Sequence, residues 1–293
     1  MNVYKYRPIR FYLITFAGTW FFWFAAAIVS RFENGGSLSF IFMALGLLVP
    51  PVTSMITVGT SKSSVLKRDL RDKLIGSFRV KPGIVVASVV LFIAVIAVSI
   101  FVSTLFGQSL NQFSLEDDFS FSLGGMSTLL LLVLVAFLEE LGWRGYAEDA
   151  IASYVSWWKE SLFFGFIWSL WHFPLFFIPE TYQYNILQLN PWYMVNFFVS
   201  IIPLSFIFTW VYVKNNRSIL ACMFFHLTVN FLQERIAMTD TTKCVQTLVL
   251  FVTAGVIVWL NKDLYFGTSH IGNLLGEGGS NLNKESIKGE NKC

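Results

Sequence analysis

The stretch "LLLLVLVAFLEELGWRGY" runs from Leu129 to Tyr146 and decides how the rest of the chain is interpreted. Its first nine residues are all apolar, as in a helix that enters a membrane. Two adjacent carboxylates, Glu139 and Glu140, follow shortly after, and Arg144 lies one turn beyond them. Ionisable groups inside a membrane span are costly, so they usually face the interior of a helical bundle and take part in function. The stretch therefore predicts a transmembrane helix that carries a functional site.

The composition of the whole chain is that of a membrane protein. Of 293 residues, 55% are hydrophobic and only 13% are charged, whereas soluble domains carry about 25% charged residues. Mean hydropathy is +0.61. These values predict an all-α polytopic membrane helical bundle surrounded by lipids. Three cysteines are too few and too scattered for a disulfide framework. A net charge of +3 gives no indication of a nucleic-acid partner.

Apolar segments long enough to cross about 30 Å of hydrocarbon recur along the chain. About eight transmembrane helices are predicted, near 11–29, 38–59, 84–106, 124–146, 161–178, 193–213, 218–233 and 245–261. The first segment follows a basic flank, as in a signal peptide, but its length favours an uncleaved span. Residues 1–267 are thus predicted to form a single transmembrane domain. Residues 268–293 are rich in Gly, Asn and Lys, which predicts a disordered tail.

The distribution of lysine and arginine predicts the orientation in the membrane. The connection 60–83 is strongly basic, and the N-terminal flank and the connection 214–217 are basic too. The connection 107–123 carries acidic residues instead. Since short cytoplasmic loops are enriched in lysine and arginine, we expect both termini in the cytoplasm. A connection 60–83 that is merely solvated is compatible with the same orientation.

Several polar residues fall within the predicted spans at a similar depth. They are Glu139, Glu140 and Arg144 in the fourth segment, His172 in the fifth, and His226 and Asn230 in the seventh. From the helical rise, the first carboxylate and the two histidines lie roughly 10 to 16 Å from the same inner boundary. A lone intramembrane histidine is as often structural as catalytic. A set at one depth indicates a shared site, and this site is predicted to open to the cytoplasm.

Helical spacing suggests different tasks for these residues. Glu140 and Arg144 are i,i+4 neighbours and can form a charge pair. Glu139 points about 100° away and has no such partner on its own helix, so its carboxylate is free for chemistry. His226 and Asn230 are also i,i+4 neighbours and are predicted to project into one cavity.

The residue types are those needed to hydrolyse an amide. A buried carboxylate near a histidine can take a proton from water. His172 fits this task, and Trp168, one turn before it, can pack against its imidazole. A histidine and an asparagine on a facing helix can donate hydrogen bonds to a developing oxyanion. No covalent nucleophile is needed, and the sequence contains neither a G-x-S-x-G elbow nor an H-E-x-x-H zinc motif.

Two other classes of function are compatible with intramembrane polar residues. A transporter with a proton relay predicts inverted repeats or paired broken helices, and the sequence shows neither. A non-enzymatic role in binding or immunity would not need all four of Glu139, His172, His226 and Asn230 together. Hydrolysis therefore remains the favoured prediction.

Three motifs in this order resemble those of the CPBP family, the CAAX proteases and bacteriocin-processing proteins also called Abi. They are E-E-x-x-x-R at 139–144, an aromatic residue four before a histidine at 168–172, and H-x-x-x-N at 226–230. The resemblance covers roughly residues 120–235. The family usually has Phe where this chain has Trp168; since both are aromatic, the departure changes little in the prediction.

The resemblance implies an eight-helix intramembrane endopeptidase similar to the type II CAAX prenyl endopeptidases, which remove the three residues after a prenylated cysteine. It implies that Glu139 and His172 activate water and that His226 and Asn230 stabilise the oxyanion. Glu140, Arg144 and Trp168 are then supporting residues. The resemblance does not distinguish a prenylated protein from a bacteriocin or signalling-peptide precursor as the substrate.

A zinc-dependent version of the same protease is the alternative mechanism, because the family has also been described as metalloproteases. Glu139, His172 and His226 would then be the zinc ligands, with one position open. The carboxamide of Asn230 suits an oxyanion donor better than a zinc ligand. We therefore expect a metal-free mechanism.

Overall fold

The computed structural model describes residues 4–76, 80–116, 128–267 and 271. In these ranges the chain is helical, and its one β-type pairing is an isolated antiparallel bridge between Leu115 and Ile236. The all-α prediction is confirmed. Apart from Ile271, the predicted disordered tail 268–293 lies outside the described residues.

The described ranges contain the α-helices α1 Pro8–Val29, α2 Gly36–Gly59, α3 Ser64–Ile75, α4 Pro82–Ser103, α5 Thr128–Gly142, α6 Glu148–Ala152, α7 Trp157–Trp171, α8 Tyr182–Leu189, α9 Pro191–Lys214, α10 Ile219–Arg235, α11 Asp240–Leu260 and α12 Lys262–Phe266. A π-helical turn, Trp143–Ala147, joins α5 to α6 without a break, and a 3₁₀ helix, Phe173–Phe177, follows α7.

Each predicted apolar segment coincides with a helix, but eight is not confirmed as the number of spans. Five helices of the described ranges are long and apolar enough to cross a membrane: α1, α2, α9, α11, and α4 with its 3₁₀ extension to Phe106. A sixth span results if Trp157–Phe177 and Tyr182–Leu189, which are bent by 78°, are counted together. The described parts of α5 and α10 are only 15 and 17 residues long. The difference between the eight predicted spans and the five or six that are counted therefore concerns the segments that carry the predicted site.

Helix α2 contains two prolines at the point where α5 crosses it. Pro50 has no N–H to donate, which frees the carbonyl four residues earlier, and the hydroxyl of Thr19 on α1 donates to this Gly46 oxygen over 3.0 Å. A methyl group on Gly142 of α5 would lie 2.5 Å from Cβ of Pro50. The backbones of α2 and α5 therefore approach so closely that only glycine fits at the crossing.

The helix that carries the two glutamates continues further than predicted. The sequence predicts an end near Tyr146, but the helix passes through the π-helical turn and α6 to Ala152. Glu148 and Asp149 are fully buried in this extension. Their burial is compensated because buried cations pair with both carboxylates.

Helix α7 ends just before the predicted catalytic histidine. Pro174 removes a donor and its ring clashes with the carbonyl four residues earlier, so the regular helix stops. His172 therefore occupies the C-cap of α7 rather than the interior of an unbroken span, and the chain continues as a 3₁₀ helix. Helix α7 packs against α9, and α10 packs against α5, which places the histidines of α7 and α10 around the carboxylates of α5.

The basic connection 60–83 is not merely a solvated loop. It contains the amphipathic helix α3, which begins where the Ser63 side chain accepts a hydrogen bond from the Leu66 N–H over 3.1 Å. Most of its basic residues are exposed, but Lys73 is only 1% exposed. Residues 77–79 of the connection lie outside the described residues.

Candidate active site

Glu139 lies between two tryptophans in the interior of the bundle. Its side chain is 5% exposed. Its Oε2 atom accepts a hydrogen bond from Nε1 of Trp168 over 3.0 Å and a longer one from Nε1 of Trp143 over 3.4 Å. No described residue donates to its other oxygen, Oε1. Glu139 thus lacks a charge partner on its own helix, as predicted, but both indoles fix its orientation.

Glu140 forms the predicted ion pair with Arg144. Nη1 of Arg144 lies 3.0 Å from Oε1 of Glu140, and both side chains are fully buried. Nε of Arg144 also lies 2.8 Å from Oε2 of Glu148, one turn further along. The guanidinium is therefore compensated from both sides.

Aromatic rings surround the guanidinium of Arg144. Its Cζ atom lies 4.6, 5.0 and 5.4 Å from the ring centroids of Phe208, Phe164 and Trp168. Such contacts are favourable for a cation that has left water. The π-helical turn, in which Arg144 lies, widens the helix at this point.

His226 is held by the same oxygen of Glu140 that pairs with Arg144. Nδ1 of His226 lies 2.7 Å from Oε1 of Glu140. Since an ionised carboxylate only accepts, Nδ1 carries the hydrogen and Nε2 faces away from Glu140. This contact between α10 and α5 gives Glu140 two tasks, because it compensates Arg144 and orients a histidine.

The tautomer of His172 follows from its own helix. Its Nδ1 atom lies 2.8 Å from the carbonyl oxygen of Trp168. A carbonyl cannot donate, so Nδ1 carries the hydrogen and, in the neutral ring, Nε2 has a free lone pair. The ring packs against Trp171 and Phe197 at centroid distances of 4.8 and 5.5 Å.

Trp168 lies between the parts of the site. Its ring centroid is 5.7 Å from that of His226 and 6.1 Å from that of His172, and its N–H binds Glu139. The predicted packing of Trp168 against His172 is present. Five of the other predicted residues are thus connected by direct contacts with Trp168 or with each other: Glu139, Glu140, Arg144, His172 and His226.

Asn230 is the one predicted residue outside this contact network. It is half-buried on α10, one turn after His226, and makes no hydrogen bond with a described residue. Its spacing places it on the same helix face as His226. Because no described residue is bonded to its carboxamide, this group is available to a ligand.

Two residues that were not predicted make hydrogen-bonding or ionic contacts with the side chains of predicted ones. Trp143 donates to Glu139 from the same helix, and Glu148 pairs with Arg144. Each follows its partner by four residues, so the i,i+4 spacing in the sequence predicts both contacts.

No group of three His, Cys, Asp or Glu side chains in the described ranges has the arrangement of a metal site. Glu139, His172 and His226, the ligand set of the zinc alternative, do not form such a group. The Nδ1 atoms of both histidines bind protein acceptors, which leaves Nε2 of each ring as the nitrogen for any ligand. It is the positions of the three side chains in the described ranges that do not fit a three-ligand zinc site.

Comparison with known proteins places the chain in a family. The sequence model of the family "Type II CAAX prenyl endopeptidase Rce1-like" matches residues 122–232, which include every predicted site residue. The protein named CAAX prenyl protease 2 from Methanococcus maripaludis is 40% identical to this chain over 266 residues, which are 91% of this chain and 98% of that protein. The chain therefore belongs to the Rce1-like family of type II CAAX prenyl endopeptidases and is an intramembrane peptidase.

Proposed function

We propose that this peptidase removes the C-terminal tripeptide from prenylated C-a-a-X proteins. The observation that carries the proposal is its 40% identity to a protein named CAAX prenyl protease 2 over nearly the full length of that protein. The buried carboxylate and the two oriented histidines supply a site suited to this hydrolysis.

Glu139 and His172 activate the water molecule in this proposal. No residue of the described ranges donates to Oε1 of Glu139, and Nε2 of His172 carries a lone pair because Nδ1 donates to a carbonyl. The water oxygen attacks the scissile carbonyl carbon while one of these groups takes its proton. The C–N bond then breaks, and the same proton passes to the leaving amine.

His226 and Asn230 stabilise the oxyanion of the tetrahedral intermediate. Nδ1 of His226 already donates to Glu140, so a second donation through Nε2 requires the doubly protonated ring. The negative charge of Glu140 stabilises that imidazolium. The carboxamide of Asn230, to which no described residue is bonded, supplies a further N–H donor from the same face of α10.

The proposed mechanism does not use a metal ion. It is supported by the two indole N–H donors that orient the Glu139 carboxylate, and by the positions of Glu139, His172 and His226, which do not form a metal-binding group in the described ranges. In the zinc alternative, these three side chains would have to turn towards a common point.

Both termini and the opening of the site face the cytoplasm in this proposal. The lysine and arginine content of the connection 60–83 supports it. Reporter fusions at residues 70 and 115 test it: the fusion at 70 should report the cytoplasm and the fusion at 115 the opposite side. Reporters on the same side would contradict the orientation.

The test of the substrate is a paired cleavage assay. Purified protein in lipid is incubated with a farnesylated C-a-a-X peptide and with the same peptide unprenylated. Release of the tripeptide from the farnesylated peptide alone is expected. Equal cleavage of both peptides, or of neither, would contradict the proposed substrate class.

A further inference from the structure

The π-helical turn between α5 and α6 is held from outside by donors on other helices. In a π-helical turn the backbone hydrogen bonds are shifted and the turn is widened. Nζ of Lys73, on α3, donates to the carbonyl oxygens of Arg144 and Gly145 over 2.9 and 3.0 Å. The hydroxyl of Tyr212, on α9, donates to the same Arg144 oxygen over 3.1 Å. The backbone at Arg144 is thus fixed by two side chains that are distant in sequence.

Lys73 is a buried charge, and the chain supplies specific compensation for it. Its Nζ lies 2.7 Å from Oδ2 of Asp149 and 3.6 Å from Oδ2 of Asp69. Arg217 bridges these two carboxylates, lying 2.6 Å from Asp69 and in direct contact with Asp149. Two cations and two carboxylates therefore neutralise one another around the turn.

The connection between α9 and α10 has an unusual backbone conformation next to this cluster, to which Arg217 belongs. Asn216 and Arg217 have φ values of 53° and 63°, in the left-handed region that residues other than glycine rarely adopt. Removing a charge from water is costly, and a buried apolar side chain at 73 would dock α3 without that cost. Helix packing alone therefore does not explain why a lysine is buried at position 73, and we look for a function of its charge.

We propose that Lys73 is a positioning residue that acts on the active site through the backbone of Arg144. On one side of the turn, the carbonyl of Arg144 is held by Lys73. On the other side, the guanidinium of the same residue lies 3.0 Å from Glu140, and Glu140 lies 2.7 Å from Nδ1 of His226. By fixing the turn, Lys73 sets the position from which Glu140 orients His226. The inference rests on the proposed oxyanion role of His226.

This chain of contacts begins outside the part of the sequence that the family model matches. Lys73 lies on α3, whereas the match covers 122–232. The helix α3 thereby gains a task in catalysis besides contributing basic residues to its side of the membrane. A displacement of about 1 Å in a positioned group can lower the rate by about 100-fold.

The test compares Lys73→Met with Lys67→Met. Both variants remove one positive charge from α3, but Lys67 is exposed. We expect Lys73→Met to lower kcat on the farnesylated peptide by about tenfold with KM unchanged, since the loss concerns transition-state interactions. Lys67→Met should retain both constants. Wild-type kcat in folded Lys73→Met, or an equal loss in Lys67→Met, would overturn the proposal.

A second variant avoids an uncompensated buried charge. Tyr212→Phe removes the other donor to the Arg144 carbonyl, together with the contact of the same hydroxyl with Oδ1 of Asp149 at 3.0 Å, and leaves every ion pair of the cluster in place. Like Lys73→Met, it should lower kcat, here by about threefold, while the protein folds normally. This variant keeps the test decisive if Lys73→Met does not fold.

A double-mutant cycle separates positioning from a general loss of structure. If Lys73 acts through Glu140, then Lys73→Met should cost little further activity once Glu140→Ala has removed the acceptor for His226. Additive losses in kcat would show that Lys73 acts independently of Glu140, and would overturn the proposal.

A spectroscopic readout keeps the inference testable even if the proposed substrate is wrong. The chain has three histidines, so selective ¹⁵N labelling of their rings gives few NMR signals. The Nδ1 proton of His226, bonded to Glu140, should be displaced to low field in the wild type and in Lys67→Met. Lys73→Met should weaken or shift this signal, and an unchanged signal would contradict positioning.

Discussion

The indole nitrogen of Trp168 lies 3.0 Å from Oε2 of Glu139, so a residue of α7 holds the carboxylate that α5 supplies. The same tryptophan accepts a hydrogen bond from His172 through its backbone carbonyl and packs its ring against His226. One residue therefore sets the geometry of the proposed base and of both histidines. A phenylalanine, which the CPBP family usually has at this position, offers the same packing but no N–H.

We expect Trp168→Phe to fold normally and to lower kcat/KM by about tenfold. A hydrogen bond to a charged group is worth about 1.5–3 kcal/mol, and part of it is regained through the longer contact from Trp143. Trp158→Phe is the matched control, because Trp158 is on the same helix but packs against Phe206 and Phe266 instead. Cleavage of the farnesylated peptide measures the effect. Unchanged activity in Trp168→Phe would show that the indole N–H is dispensable.

Glu139→Gln should abolish cleavage while leaving the fold intact. The amide keeps the shape of the side chain but cannot take a proton from water, and general base catalysis contributes about 10²–10⁴-fold. The side chain makes no ion pair in the described structure, so the loss of its charge breaks no salt bridge. Tripeptide release and the melting temperature should be measured on the same preparation. A folded variant that cleaves normally would exclude Glu139 as the base.

Glu140→Gln should lower both stability and activity without abolishing cleavage. Removing one partner of a buried ion pair costs about 3–5 kcal/mol, but here Arg144 keeps Glu148 at 2.8 Å, so the loss should be smaller. His226 loses the carboxylate that stabilises its charge, which lowers kcat. Thermal unfolding and residual cleavage test both effects. If this variant were folded and completely inactive while Glu139→Gln was active, the roles of the two glutamates would be reversed.

Spacing on a single helix was the part of the site that the sequence could predict. The pair Glu140–Arg144 and the packing of Trp168 on His172 are both separated by four residues, and both are present in the structure. The contact between Glu140 and His226 joins residues 86 apart in sequence, so no local pattern indicates it. The same i,i+4 spacing indicates the pair of Arg144 with Glu148, but Glu148 lies beyond the predicted end of its helix.

Hydropathy identified the helices more reliably than it identified their ends or the number of spans. It placed an apolar segment at each long helix, but it did not indicate the π-helical turn that continues α5 or the 3₁₀ helix that follows α7. The burial of Lys73 could not be predicted either, because its partner Asp149 is 76 residues away and lysine in a basic connection normally faces water.

Chelation should leave cleavage intact if Glu139 and His172 activate water without a metal. Purified protein is treated with a strong chelator, dialysed and assayed on the farnesylated peptide, with a known zinc peptidase as the positive control for metal removal. Retained activity is expected. Activity that is lost and then restored by one equivalent of Zn²⁺ would support the zinc alternative, since a catalytic zinc is required at one ion per site.

Gly142→Ala should destabilise the protein through the crossing of α2 and α5. The added methyl group would lie 2.5 Å from Cβ of Pro50 and 2.8 Å from its carbonyl carbon, and these atoms belong to a rigid ring and to the backbone. The helices must therefore separate, which costs about 1–3 kcal/mol or more. Gly59→Ala is the control, since nothing lies within 4 Å of a methyl group there. Thermal unfolding in detergent should show a midpoint below that of the wild type for Gly142→Ala and an unchanged midpoint for Gly59→Ala. Equal midpoints for both variants would mean that α2 and α5 are not packed as closely as described. Activity should fall together with stability, because Glu139 lies one turn before the crossing on the same helix.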